Sequence, residues 1–337
     1  MNDRVLKRSL AVLLAAAFSI AGCSSVHPEG ALDGNSESIL SSLPSSNSSG
    51  NRIVDSFNFS QGDLPENIIV TNKQNSQFAA ALLDNTIIWS DGHREQVAEG
   101  YPDAVTLGLV EDAEDRLYVA VRSQDQSVSG VWRRGNDGRW SRFIAVAPEV
   151  GLNGLTFGDD GTLYAADSVN GQILSAAPGR TDFDLWLDDP SLKPTSNADL
   201  IAASGVNGLK IFQDNLYASN TAQRNVLRIP LGGPKMKTPE SVISGYPVDD
   251  FAIDSSGSFY LAVHPDNTVV RVDPSGERTT LATAQDGLDG PTAVAVAQAG
   301  VLTTNLGFLG TTHKPSIVFV SSPVEEPVLP KPVLPTP

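Results

Sequence analysis

Cysteine is nearly absent: the 337-residue chain carries one, Cys23. That excludes a disulfide framework and a zinc site built from cysteines. Histidine is scarce as well, with four in the chain, so nitrogen ligands for a transition metal are few. Basic residues are outnumbered, 23 Lys and Arg against 39 Asp and Glu, giving a formal net charge of −16. A nucleic-acid partner needs Lys and Arg to neutralise phosphates, so that class is set aside. The acidic balance permits cation binding, although a solvated acidic surface accounts for it equally well. No stretch repeats apolar residues at a helical period. There is also no G-x-S-x-G elbow, H-E-x-x-H, P-loop or G-x-G-x-x-G, which leaves serine hydrolases, zinc proteases and nucleotide enzymes without a motif.

What is present begins with a leader. Arg4, Lys7 and Arg8 precede an apolar run over residues 10–20, too short to span a membrane, and Ala21-Gly22 supply small residues before Cys23. Ile20-Ala21-Gly22-Cys23 resembles the lipobox of bacterial lipoproteins, in which the Cys becomes the acylated first residue; an ordinary secretory leader is the alternative. The resemblance implies a signal peptide over residues 1–22 and a cell-envelope protein touching the membrane only through its N-terminal lipid. Ser24 then resembles an outer-membrane address in a Gram-negative cell. Residues 23–50 are rich in Ser, Gly and Asn and are expected to form a flexible tether.

The main domain is organised by a repeat. Residues 151–167 read GLNGLTFGDDGTLYAAD, an apolar alternation on both sides of an Asp-Gly turn, which is a β-hairpin pattern. Residues 205–220 (GVNGLKIFQDNLYASN) and 247–264 (PVDDFAIDSSGSFYLAVH) repeat it, with looser copies at 65–81, 102–121 and 291–305. A spacing of roughly 40 to 50 residues between strand-built units is the period of propeller blades. Each copy is followed by a second apolar run, such as Thr86-Ile87-Ile88-Trp89 or Val269-Val270-Arg271-Val272, and most of these runs close on a Gly turn. The expected fold is all-β, a six-bladed propeller of four-stranded blades over residues 51–323, with 51–59 adding a strand to the last blade to close the ring. The proline-rich residues 324–337 are expected to be disordered.

In such a ring the residue at the start of each innermost strand faces the channel mouth. Those positions are Glu66, Asp103, Asn153, Asn207, Asp249 and Thr292. Convergent oxygen donors of this kind suit a hard cation, Ca²⁺ foremost with Zn²⁺ or Mn²⁺ as alternatives. Taken singly, Asn and Asp at such positions are ordinary turn residues; only the shared slot argues for a site. Asp167, Asn220 and His264 end the second strands near the same rim, and His264 is a candidate accessory acid or base. His313 has the same status on weaker grounds, and His93 belongs to an outer turn.

The ordered set resembles the regucalcin, gluconolactonase and luciferin-regenerating-enzyme family. Its propellers hold one divalent cation through a Glu in the first blade, an Asn in the third, an Asn in an NGL step of the fourth and an Asp in the fifth. Glu66, Asn153, Asn207 (in Val206-Asn207-Gly208-Leu209) and Asp249 match in blade order and type. The resemblance implies a metal-dependent hydrolase of lactones or related esters, with Asp249, or a neighbouring carboxylate such as Asp103, as general base. Three departures bear on sugar-lactone specificity rather than on the metal set. Gly151-Leu152 replaces the family's substrate-holding Arg-Pro, Leu64-Pro65-Glu66-Asn67 replaces GEGP, and Asp103 adds a carboxylate. The alternative is a non-catalytic propeller that holds a small ligand or a protein partner at the same mouth.

Overall fold

In the computed structural model, described over residues 50–71, 78–234, 236–308, 312–327 and 330–334, six four-stranded antiparallel sheets make six blades. The innermost strands are Pro65–Val70, Val105–Glu111, Leu152–Phe157, Val206–Phe212, Val248–Ile253 and Pro291–Ala297. Each packs against the next, and the sixth packs against the first, so the sheets form a closed ring. Closure is made by the first strand, Arg52–Ser56, which pairs with Ser316–Ser321 as the outer strand of blade 6. A ring stitched this way leaves no open edge between its first and last blades. The leader, Cys23 and all of the expected tether but Gly50 lie outside the described residues.

The residue pattern explains the packing. Second strands such as Phe78–Leu82 (FAAAL) and Leu117–Arg122 (LYVAVR) are buried nearly throughout, because both faces of a blade are covered by its neighbours. Large side chains including Trp89, Tyr118, Phe157, Phe251, Tyr260 and Phe319 are wholly buried. Each such side chain is worth about 1.5–3 kcal/mol relative to exposure.

A break in register near the start of every innermost strand is what shapes the mouth. Pairing skips Glu66 in blade 1, Leu107-Gly108 in blade 2, Asn153-Gly154 in blade 3, Asn207-Gly208 in blade 4, Asp249-Asp250 in blade 5 and Thr292-Ala293 in blade 6. A bulge of this kind frees one side chain from the ladder and re-aims it. It also brings neighbouring backbones close: a β-carbon on Gly108 would collide with the Asn153 carbonyl, and one on Gly154 with the Asn207 carbonyl. The Gly of each Asn-Gly step is therefore required by the adjoining blade rather than by its own turn.

At the other end of the channel, two turns between first and second strands are built alike. Asp112 accepts from the backbone N–H groups of Glu114 and Arg116 (both 3.0 Å), from Arg116 Nε (2.7 Å) and from the Tyr118 hydroxyl (3.0 Å). Asp254 accepts from Ser256 N–H, Ser258 N–H and the Tyr260 hydroxyl. Burial, with Asp112 beside Tyr118 and Asp254 beside Tyr260, pushes both phenols up to about 12.

The expectation of a disordered tail over residues 324–337 is corrected for residues 324–327 and 330–334. Glu325 N–H donates to Asp254 Oδ2 (3.2 Å), Ser255 N–H donates to the Glu326 carbonyl (2.8 Å), and Pro327 bridges to Asp254. Farther on, Lys331 Nζ donates to Glu111 Oε2 (2.5 Å), Ala113 N–H donates to the Pro332 carbonyl (3.1 Å), and Leu334 joins the core. Blades 5 and 2 lie opposite each other in the ring, so these contacts carry the tail across the underside. Proline keeps this chain extended, and its carbonyls remain free to accept from turn N–H groups.

Candidate active site

Five residues expected at the mouth meet there. Glu66, Asn153, Asn207, Asp249 and His264 line one cavity of about 220 Å³ at the starts of the innermost strands. Asp103 does not join them. It is exposed, four residues ahead of the blade-2 bulge, and Leu107 occupies the slot it was expected to fill. Thr292 is buried, its hydroxyl 2.9 Å from the Thr304 hydroxyl and 3.3 Å from the Pro65 carbonyl, so it ties blade 6 to blade 1.

Asp249 is the hub. Its Oδ1 accepts from Asn207 Nδ2 at 2.6 Å, and its Oδ2 accepts from His264 Nδ1 at 3.2 Å. The backbone on either side is held by Ser219 Oγ donating to the Asp249 carbonyl (2.7 Å) and Thr221 Oγ1 donating to the Val248 carbonyl (2.8 Å). With Nδ1–H directed at the carboxylate, His264 carries its acceptor lone pair on Nε2. That nitrogen is buried without a partner among the described residues, and it lies against Gly290, where an added β-carbon would stand 3.2 Å from it.

Glu66 brings a second carboxylate into the same space. Burial first, and then the charge of Asp249, push its pKa well above the usual carboxylate range, with Arg122 opposing. Arg122 was not among the residues expected at the mouth. Its guanidinium donates to the carbonyls of Leu152 (2.6 Å) and Gly151 (2.5 Å) at the start of blade 3, and burial lowers its pKa to about 10 against the pull of Asp167 and Glu66. Its place resembles theirs without matching it: Arg122 ends the second strand of blade 2 as Asp167 and Asn220 end those of blades 3 and 4, but it lies one residue farther from the bulge. Those two serve structure. Asp167 accepts from Gly151 N–H (2.9 Å), and Asn220 Nδ2 holds the Ser191 (2.8 Å) and Lys193 (3.1 Å) carbonyls of the segment joining blades 3 and 4. His313 contacts Phe59 and the Gly307 carbonyl, and His93 pairs with Glu95 on the outermost strand of blade 1.

The donor set fits a hard divalent cation. Glu66 and Asp249 supply carboxylates and Asn153 and Asn207 supply carboxamides, an all-oxygen set. Asn207 Nδ2 is engaged with Asp249 and Thr221 (3.1 Å), which leaves its Oδ1 free among the described residues. The side chains of Glu66 and Asn153 likewise form no hydrogen bond to any described residue. No group of three or more His, Cys, Asp or Glu side chains suitable for a metal occurs among the described residues, so the set depends on its two amides.

No family model matches the chain, and no curated protein sequence does. Solved structures do match in fold. The calcium-binding protein regucalcin of Agrobacterium tumefaciens superimposes with a TM-score of 0.58 at 15% identity, over 82% of this chain and 96% of that one. A Xanthomonas campestris gluconolactonase gives 0.58 at 15%, over 78% and 87%. Virginiamycin B lyase of Staphylococcus aureus gives 0.55 at 16%, over 77% and 82%. This chain has the six-bladed fold of those propellers. At such identity the likeness concerns the fold, and the chemistry must be argued from the cavity itself.

Proposed function

We propose that the chain is a hydrolase of lactones or related esters that works with a divalent cation at the channel mouth. The observation that carries this reading is the meeting of Glu66, Asn153, Asn207 and Asp249 in one cavity, with a buried, carboxylate-oriented His264 beside them. Those four residues would hold the cation, Ca²⁺ before Zn²⁺ or Mn²⁺, which when bound supplies Lewis-acid polarisation of a carbonyl.

The remaining roles belong to the protein. Asp249, fixed by Asn207, orients the imidazole and stabilises its charge once it is protonated. His264 Nε2 accepts the proton of the attacking water and returns it to the leaving oxygen. This moves the base from Asp249, whose oxygens accept from Asn207 and His264 and whose remaining lone pairs would serve the cation, to its histidine partner. Arg122 holds the start of blade 3 and balances part of the carboxylate charge. Asp103 takes no part.

One observation favours the competing reading of a non-catalytic binding propeller: Arg122 is committed to backbone carbonyls instead of facing a guest. The test is a panel of lactones and aryl esters assayed with Ca²⁺, Mn²⁺ or Zn²⁺ and then with chelator, together with elemental analysis of the tag-free mature domain. Cation-dependent turnover is the expected result. No turnover and no bound metal leave the binding reading. The proposal also places the domain in the bacterial envelope, anchored through acylated Cys23. Mass spectrometry of the mature N-terminus checks this, and an unmodified Cys23 refutes it.

A further inference from the structure

The polar groups of the mouth are nearly all engaged before any guest arrives. Ser168 Oγ donates to the Val206 carbonyl (2.6 Å), Thr221 Oγ1 to the Val248 carbonyl (2.8 Å) and Ser204 Oγ to the Leu200 carbonyl (2.8 Å). Asp199 Oδ1 accepts from Ala202 N–H (2.9 Å), and Arg122 holds two carbonyls. What remains open is the cluster at the floor around Glu66, Asn153 and His264, with Asn197 and the second Asp199 oxygen at the side. A polyhydroxylated guest would bring more hydroxyls than this cavity can partner, and each one buried without a partner is costly.

The walls are apolar, and they face each other. Leu200 and Ile201 come from the short helical turn Leu200–Ala203 between blades 3 and 4. Leu306 and Phe308 follow the second strand of blade 6, on the far side of the ring, and Leu107 stands in the blade-2 slot where the other blades from 1 to 5 place a polar side chain. Leu107, Leu306 and Phe308 belong to one apolar cluster, and Leu200 packs against it. Open polar groups thus lie at the floor and, with Asn197 and Asp199, along one side, and the rest of the upper cavity is an apolar sleeve.

We infer that the mouth selects guests with a single ester or lactone head and an alkyl body, and discriminates against sugar lactones. Phe308 and Ile201 set that selectivity by contacting the alkyl chain from opposite sides. The inference rests on the hydrolase reading for the reacting carbonyl, but its test does not require turnover. Non-hydrolysable γ-lactams bearing hydrogen, ethyl, butyl or hexyl chains, and a polyhydroxylated lactam, are titrated calorimetrically into the mature domain. Affinity should rise about fourfold per buried methylene until the sleeve is filled, and the polyol should bind no better than the unsubstituted ring. Phe308→Ala and Ile201→Ser should each flatten that rise, with circular dichroism confirming the fold; Ile201 is only half-buried, so its variant remains informative if Phe308→Ala fails to fold. A flat alkyl series in the parent protein, no measurable binding by any member, or tighter binding of the polyol overturns the inference. Alkyl-dependent binding without hydrolysis of any lactone or ester leaves the inference standing and sinks the hydrolase reading.

Discussion

The two ends of the channel use the same residue types to opposite ends. On the underside, Asp112 and Asp254 have their oxygens filled by turn N–H groups, tyrosine hydroxyls and either Arg116 or the tail. At the mouth, Glu66 is buried beside Asp249 with its pKa driven up, and His264 Nε2 is buried without a partner among the described residues. Unpartnered buried atoms occur at both ends among the described residues, but on the underside they are Arg116 Nη2 and Arg271 Nε, each on a guanidinium that bonds through its other nitrogens, whereas at the mouth the open imidazole nitrogen belongs to a ring bonded to one of two neighbouring carboxylates, as a site kept for a guest would be. The underside secures the ring; the mouth gives up stability to hold reactive groups ready.

The comparison is sharpest where each end is broken at its hub. Asp249→Asn should lower kcat/KM by about 10²–10⁴-fold, the usual scale for losing acid–base assistance, because the imidazole loses its orienting carboxylate. Its unfolding midpoint in urea should move little. Intact turnover in this variant would mean that the mouth is not the reactive end. Asp112→Ala should do the reverse. It leaves Arg116, which is only 6% exposed in its side chain, with Glu114 as its carboxylate partner, and it frees two backbone N–H groups and a buried phenol. Breaking a buried pair from one side costs about 3–5 kcal/mol, readable in urea denaturation, with kcat per folded molecule unchanged.

A truncation after Ser322 tests how much of the underside is the tail's work. It removes the Lys331–Glu111 pair, the carbonyls offered to Ser255 and Ala113, and the burial of Pro332 and Leu334. A loss of about 4 kcal/mol or more is expected from two buried apolar side chains and two hydrogen bonds. An unchanged unfolding midpoint would show that these contacts are incidental to the ring.

These ends also differ in how legible they were from sequence. Asn153-Gly154-Leu155 and Asn207-Gly208-Leu209 announced the mouth because the bulge demands Gly wherever the next blade's backbone presses in. Leu107-Gly108-Leu109 carries the same Gly-Leu step, but without a polar side chain in the slot the nearest carboxylate in the sequence is Asp103, four residues too early. In blades 2 to 4 the slot is marked by the glycine that follows it, while blades 1, 5 and 6 form the same bulge with Asn67, Asp250 and Ala293 in that place. The tail was illegible for a different reason. Its partners, Glu111 and Asp254, lie 220 and about 70 residues away in the chain, and most of its contacts run through backbone carbonyls, which carry no sequence signature.

The change Glu66→Gln should separate cost from purpose at the mouth. Removing a buried charge beside Asp249 is expected to raise thermal stability of the metal-free protein by about 1 kcal/mol. The same variant should lose the rise in melting temperature that Ca²⁺ gives the parent protein. If Glu66→Gln instead destabilises the metal-free protein, the claim that the mouth is held at a cost to folding fails.

The smallest expected effect is one of pH, and it belongs to the underside. Burial raises the pKa of Asp254, but hydrogen bonds from Ser256, the Glu325 N–H, Tyr260 and the Ser258 N–H more than offset it, so the net shift is downward. A carboxylate whose pKa is depressed by folding contributes stability that is complete above its unfolded value, about 3.9. That contribution is lost as the pH falls through the lower, folded value. Stability should therefore be flat with respect to this group from neutrality to about pH 5 and decline below about pH 4. Asp254→Asn should be less stable than the parent at pH 7, and the difference should narrow as the pH falls towards 3. Urea midpoints measured every half unit would check it. A difference that stays constant across that range would mean that the turn is held by the shape of the side chain rather than by its charge, and Asp254 would then differ from the mouth carboxylates only in having neighbours.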